Sequence, residues 1–587
     1  MFGMLAKYSK NAFGYFIAFA LLLFIQCSRD RTPSTSKINS LSTRLNPADT
    51  FSHHFSMEEP QVVRDRSKIR DKLFNFLDTL SISVYIHDDH NRKHIEKELR
   101  EFYRLNNHDL YWSNGIKLLP TADFMLNQLL LAETHGLESD YYSVSKLLNL
   151  QQKVFEKDSE PNVLQIIHLD IRLSIAYVTY AWHLHNGAIN AENVPGRWVI
   201  NSKNASVASI LATNGINEAL NMLEPARHYK LLMKALEKYR QIAHEGGWST
   251  LPPGTVLKIN DCGPNVLILG KRLKATGDLR EKEPLQDSLF DSQLENAVKR
   301  FQHRHGLTVD GVVGKTTLAA LNIPVEQKID QILINLERMR WRSGDKNDRY
   351  IEVNVPEYKL YAYDKGEKTL EMKVIVGKEK SATPIFNDTL EYLVFSPRWT
   401  IPKSILHKEI IPAIEADPSY LARCGYQLYD SWDNNATPLS TDSVTLETLA
   451  RCEVIRIVQP PGPKNSLGQV KFMMPNKMNI YLHDTPADYL FLRDQRAFSH
   501  GCIRLEFPEL LADYLLSEWD LSKVLETMNE PEPFYVNLKE RVPVYLLYQT
   551  AWVDSIGLVN FREDIYDHDK LQLAQLKNRK KELMAGI

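Results

Sequence analysis

Cys502 is the residue whose neighbours best equip it for chemistry. It closes the run Ser499-His500-Gly501-Cys502, continues into Ile503-Arg504, and lies 19 residues after His483 in the segment Ile480-Tyr481-Leu482-His483-Asp484-Thr485. A thiol attacks acyl carbon as the thiolate, which forms near neutral pH only beside a base or a positive group. His483 can be that base, because it ends a strand candidate (Asn479 to His483) that would hold its ring at a fixed height. Gly501 permits a tight bend, and the amides of Gly501 and Cys502 are expected to face the oxygen of a tetrahedral intermediate. Ser499 and His500 would orient the turn or tune the thiolate, and Arg504 has the planar fork that grips a carboxylate.

An isolated Cys or His is most often a packed core residue. Here a thiol, two imidazoles, a glycine turn and a guanidinium share one motif, and that grouping favours catalysis. His483, Asp484, His500 and Cys502 are also legitimate zinc donors, but they lack the close Cys or His pair of a helical metal site. No metal and no cofactor are expected. Gly314-Lys315-Thr316 imitates the end of a phosphate-cradling loop, yet the position five residues earlier is Val309 rather than glycine.

The elements that must position this motif are read from hydrophobic period. From Arg349 the period is two: Ile351, Val353 and Val355 alternate with polar residues, and Leu360 to Tyr363, Met372 to Val376, Tyr392 to Phe395 and Val454 to Val458 are further strand candidates. Between about 397 and 470 lies an insertion of helical and loop character, including Pro402 to Glu415, expected to act as a lid. Upstream the period is helical. Leu164, Ile167, Ile171, Ile175, Val178 and Trp182 mark one face, with Asp170, Arg172 and Ser174 as its polar flank. Leu294, Ala297, Val298 and Phe301 mark another helix, ending at His305-Gly306.

The expected fold is therefore multidomain α+β. Its parts are a signal segment over 1–27, a polar linker over 28–66, a helical scaffold over 67–250, a small helical module over 260–324 that resembles a known three-helix type, a helical connector over 325–348, a β-rich domain over 349–568 and a charged tail over 569–587. Lys7 and Lys10 precede an apolar run from Ala12 to Ile25, too short to span a bilayer, and Cys27 follows it as in an exported, lipid-anchored protein. The tail, with Lys577, Arg579, Lys580 and Lys581, reads as a solvated helix.

His483 with Ser499-His500-Gly501-Cys502-Ile503-Arg504 resembles the signature of the YkuD-domain L,D-transpeptidases. Val374-Ile375-Val376-Gly377, Thr383-Pro384, Trp399 with Ile401-Pro402, and Tyr481 to Pro486 are similar to the large YcbB-like subfamily. The segment Phe301 to Gly314 resembles a peptidoglycan-binding module. The resemblance implies cross-linking of cell-wall peptide stems in the bacterial periplasm. Cys502 would be nucleophile, His483 general base and acid, and Trp399, Tyr481 and Arg504 substrate contacts. The partners implied are a donor tetrapeptide stem and an acceptor stem, with a membrane tether at the amino terminus. Hydrolysis of the same bond, or wall anchoring without catalysis, are the alternatives. Cys424 and Cys452 in the lid could pair in an oxidising compartment.

Composition narrows the classes further. The 587 residues are 43% hydrophobic and 25% charged, ordinary for several packed domains, so global disorder is excluded. With 71 Lys and Arg against 73 Asp and Glu the net charge is -2, and no nucleic-acid partner is expected.

Overall fold

A computed structural model describes residues 66–585 apart from 80–85, 156–161, 200–202, 281–287, 343–347, 441–445, 452–455 and some single or paired positions between them. The signal segment, Cys27, the polar linker up to 65 and Cys452 lie outside the described residues, so neither lipidation nor a Cys424 pairing is visible; Cys424 carries a free thiol. Among the described residues no helix is long and apolar enough to cross a membrane.

The scaffold helices gather around α1 (Val163–Asn186). The expected polar flank is instead part of the core: Asp170 and Ser174 are 1% and 0% exposed. Asp170 accepts the Tyr103 hydroxyl at 2.7 Å and the backbone amides of Tyr111 and Trp112 at 2.9 Å each, while the Trp112 indole donates to Ser174 Oγ at 2.8 Å. Every buried acceptor there meets a donor, which is the condition for tolerating polar atoms in a core. Burial pushes the Asp170 carboxyl up to about 6, against the pull of those three donors. Leu164, expected inside, lies on the first exposed turn.

The three-helix module consists of Pro264–Thr276, Ser292–Arg304 and Lys315–Leu321 around Val266, Leu269, Leu294, Phe301 and Leu318. Asp291 caps the second helix by accepting the Leu294 amide at 2.8 Å. Arg304 fixes the module to the rest of the chain: it pairs with Asp278 at 2.5 Å and donates to the Val559 carbonyl at 2.9 Å.

The connector is a hub. In α2 (Val325–Trp341), Ile332 and Leu336 enter an apolar cluster with the hairpin strands Ala551–Val553 and Val559–Phe561. The other faces of α2 carry buried ions. Glu337 accepts the Ile189 amide at 2.8 Å and pairs with Arg340 at 3.0 Å, and Arg338 pairs with Asp569 at 2.6 Å. Asp569 opens α3 (His568–Ala585), so the tail expected in solvent begins buried: Gln572 is 0% exposed and accepts from Arg338, and Lys577 pairs with Asp330 at 2.7 Å. Its charges escaped the sequence reading because their partners lie more than 200 positions upstream.

The β-rich region forms a ten-stranded sheet. Its strands are β1 (Arg349–Asn354), β2 (Lys359–Asp364), β3 (Glu367–Gly377), β4 (Ile385–Phe395), β5 (Val470–Met473), β6 (Leu482–His483), β7 (Ala497–Ser499), β8 (Ile503–Leu505) and β9 (Phe534–Leu547), with Trp198–Val199 added outside β4. The order β4-β9-β1-β2-β3-β8-β6-β5 returns to β4 through its pairing with β5 and closes a barrel, with Trp198–Val199 and β7 each paired to it on one side only. One face of these strands supplies the core: Val353, Leu360, Val374, Leu393, Phe472, Leu482, Ile503 and Val544 are each 0% exposed.

The insertion between β4 and β5 is more than helix and loop. Trp399–Thr400, Arg456–Gln459 and Gln427–Tyr429 make a three-stranded sheet, and Leu406, Ile410, Ile414, Leu428 and Ile457 form a separate apolar cluster.

Candidate active site

Strand pairing assembles the site. β6 lies parallel to β8 with Leu482 opposite Ile503 and His483 opposite Arg504, and antiparallel to β5 with His483 opposite Lys471. Side chains alternate along a strand. With Phe472, Leu482 and Ile503 in the core, Lys471, His483 and Arg504 form one row across three strands on the opposite face, and Tyr481 and Cys502 flank it on the same face. A one-residue slip would bury all five.

The nucleophile turn is tied at both ends. Ser499 Oγ donates to the Cys502 carbonyl at 2.6 Å and accepts the Gly501 amide at 3.0 Å. Gly501 has φ +119°, which a residue with a Cβ rarely adopts. Thr383 Oγ1 donates to the Gly501 carbonyl at 2.9 Å and accepts the Gly377 amide at 2.9 Å. A Cβ at Gly377 would sit 2.1 Å from the Ser381 carbonyl, so only glycine fits there. Of the two amides expected to face an oxyanion, that of Gly501 donates to Ser499 Oγ and that of Cys502 has no partner among the described residues.

Cys502 Sγ donates to the Asn479 carbonyl at 3.7 Å. Burial pushes the thiol up, opposed by the Tyr481 amide, Lys471, the Tyr481 hydroxyl and Arg504. Burial first, and then the Cys502 sulfur, push the Tyr481 hydroxyl up, while Trp399 pulls it down. Lys471 Nζ lies 3.9 Å from the Tyr481 ring centre. His483 is 5% exposed, and its Nδ1 donates to the Asp484 carbonyl at 2.5 Å, which leaves Nε2 as the basic nitrogen. Burial first, then Arg504 and Lys471, lower its pKa to about 3, so the imidazole is neutral across the physiological range. Among the described residues no hydrogen bond joins Cys502 to His483.

His500 points elsewhere: its Nε2 meets Glu409 Oε1 at 2.6 Å, and Lys378 Nζ lies 3.6 Å from the same oxygen. Glu409 belongs to the π-turn Leu406–Ile410 of the insertion, so His500 links the Cys502 turn to the insertion. Among the described residues no group of three His, Cys, Asp or Glu is arranged to hold a metal.

Sequence reasoning therefore named Cys502, His483, Tyr481, Trp399 and Arg504, which converge, and missed Lys471, Thr383 as a brace, Asn479 and Glu409. Lys471 was findable: it alternates with Val470 and Phe472 in a strand-like run. Glu409 lies 91 positions from His500 in a helical stretch that no local pattern connects to it.

Residues 348–544 match the YkuD family, described as "L,D-transpeptidase catalytic domain"; residues 97–236 match a "Scaffold domain", and residues 262–321 a "Putative peptidoglycan binding domain". A "Putative L,D-transpeptidase" of Haemophilus influenzae is 35% identical over 255 residues, 43% of this chain and 51% of that protein. The chain thus spans about half the length of the curated relative it matches. Of solved structures, an L,D-transpeptidase from Stackebrandtia nassauensis aligns at 15% identity and TM-score 0.20 over 50% of this chain and 97% of that one. An L,D-transpeptidase from Mycobacterium smegmatis aligns at 13% identity and TM-score 0.17, over 35% and 60%. The chain carries an L,D-transpeptidase catalytic domain of the YkuD type behind a scaffold domain and a peptidoglycan-binding domain.

Proposed function

We propose that this protein is a cysteine-dependent L,D-transpeptidase of the bacterial cell envelope, acting on peptidoglycan peptide stems. The observation that carries the reading is the pairing of β6 with β8, which sets Cys502, Tyr481 and His483 side by side on one sheet face. Cys502 attacks the diaminopimelate carbonyl in the peptide bond to the terminal D-alanine of a donor tetrapeptide, and its proton passes to His483 Nε2. The C–S bond forms as the oxyanion develops toward the Cys502 amide. Collapse breaks the C–N bond, His483 returns the proton to the leaving amine, and D-alanine departs, leaving a thioester. The side-chain amine of a second stem then attacks the thioester and gives its proton to His483. Collapse closes the new amide, and the departing sulfur recovers that proton.

A neutral His483 suits this cycle, because an imidazolium could not accept the thiol proton. The three-helix module would hold the wall strand, and the scaffold and module would keep to the boundaries expected above. An amino-terminal lipid anchor at Cys27 belongs to this proposal on sequence grounds alone. The test is incubation of the chain from Ser28 onward with disaccharide tetrapeptide, following D-alanine and cross-linked dimer by mass spectrometry. Dimer from wild type and none from Cys502→Ala supports the reading. Tripeptide monomer alone makes the protein a carboxypeptidase, and no D-alanine from wild type leaves wall anchoring in its place.

A further inference from the structure

The row that holds His483 has a cation at each end. Lys471 and Arg504 both sit directly opposite His483, one on β5 and one on β8, and both are partly buried. Neither forms an ion pair or a hydrogen bond with any described residue, and Arg504 Nε is a buried donor without a partner. Other buried cations find partners: Arg304 pairs with Asp278, Arg338 with Asp569 and Arg340 with Glu337, while Arg272, Lys328 and Arg496 donate to neutral oxygens. Burial holds Lys471 and Arg504 below their usual values, with the Cys502 sulfur as the anion that offsets it. Taking two positive charges out of water with no counter-ion is unfavourable unless an anion arrives to pair with them.

Lys471 and Tyr481 also open onto a groove of about 720 Å3 whose walls include Phe386, Met473, Met478 and Ile480. Its lining is mostly apolar, with Lys471 and Lys477 as its cations and Asp388 as its anion.

We propose that Lys471 and Arg504 form a two-cation clamp that binds a free carboxylate of the substrate beside the scissile carbonyl, with Lys471 as the positioning residue that selects acidic over amidated stems. The inference rests on the transpeptidase reading for its substrate but not for the anion site itself. Two carboxylates of a donor stem meet the description: the terminal carboxylate of the leaving residue and the side-chain carboxylate of the residue before it. Either would bring negative charge next to two desolvated cations, where a charge-assisted contact is strong.

The first experiment needs no turnover. Cys502 is alkylated with iodoacetate and with iodoacetamide, which react by the same displacement but differ by one negative charge. Any change in thiol reactivity cancels in the ratio of the two rates. In wild type the anionic reagent is favoured. The ratio falls about tenfold in Lys471→Met and in Arg504→Gln, the factor that one contact to a charged group supplies, and recovers in Lys471→Arg. The second experiment compares tetrapeptide with its terminal-amide and side-chain-amide forms. Lys471→Met raises KM for the acid with little change in kcat, and the amide on which the mutation has no effect identifies the carboxylate held. An unchanged alkylation ratio in both variants overturns the clamp, as does a Lys471→Met loss that is equal for the acid and both amides. Wild type that shows the ratio but releases no D-alanine would refute the transpeptidase reading and leave the clamp standing.

Discussion

Replacing Tyr481 by Phe removes one hydroxyl beside the nucleophile and leaves the ring against His483 and Lys471 in place. That hydroxyl is one of the few groups that lower a thiol otherwise pushed up by burial. A hydrogen bond to a charged acceptor contributes about 1.5–3 kcal/mol. At 1.36 kcal/mol per unit, its loss raises the Cys502 pKa by about 1–2 units. The thiolate fraction at pH 7 then falls about 10- to 100-fold. The more basic thiolate is intrinsically more reactive, with a Brønsted slope of about 0.4–0.5, so alkylation slows by about 3- to 15-fold. The assay is the rate of iodoacetamide alkylation against pH, with Tyr535→Phe, on an exposed part of β9, as the control. An unchanged thiol pKa in Tyr481→Phe would refute the reasoning, because it would mean that the hydroxyl does not stabilise the thiolate.

The remaining predictions concern pH and bracing. With His483 near 3, its neutral form persists through mild acid, so kcat/KM stays level from pH 7 to 5 where an ordinary histidine would cut it; a pH–rate profile with an acid limb near 6.5 would contradict the burial argument. Stability runs the other way. His135, His185 and His568 are lowered to about 4, each mainly by burial, and with His483 they take up protons from pH 6.5 downward only when unfolded. Their contribution is full above 6.5 and declines toward 4, by about 1.4 kcal/mol per pH unit for each. Asp170 and Asp484, both raised to about 6, oppose this below pH 6 but are two against four, so the melting temperature falls between pH 7 and 5. Thr383→Val keeps the shape but strands the buried Gly377 amide and Gly501 carbonyl, costing about 1–3 kcal/mol in urea unfolding. Glu409→Gln frees His500 from the insertion and speeds amide exchange over 403–416 without changing the global melting temperature, since both partners are well exposed.

The catalytic face was legible because it is local. The strand-like run ending at His483 and the contiguous Ser499 to Arg504 motif group His483, Cys502 and Arg504, whereas Tyr481 and Trp399 enter only through the family resemblance. The three-helix module was legible for a similar reason, since its turn residues Gly306, Asp310, Gly311 and Gly314 are contiguous. What the sequence hid depends on partners far along the chain. Asp170 and Ser174 read as a surface flank because polar residues on a helix usually are; only the long-range arrival of Tyr103 and Trp112 makes them core. The buried start of α3 has the same cause, since Arg338 neutralises Asp569 across 231 positions. The Ser499 hydrogen bond to the Gly501 amide, over only two residues, was not read from the sequence either.

The central claim is that Cys502 carries the acyl group, and intact-protein mass spectrometry under rapid quench tests it most directly. Mixed with disaccharide tetrapeptide in the absence of acceptor, the wild-type chain should gain the mass of the donor less D-alanine. Proteolysis should place that mass on the peptide containing Cys502, and hydroxylamine should remove it as a thioester. D-alanine release with no adduct on Cys502, or release by Cys502→Ala at the wild-type rate, would contradict the account.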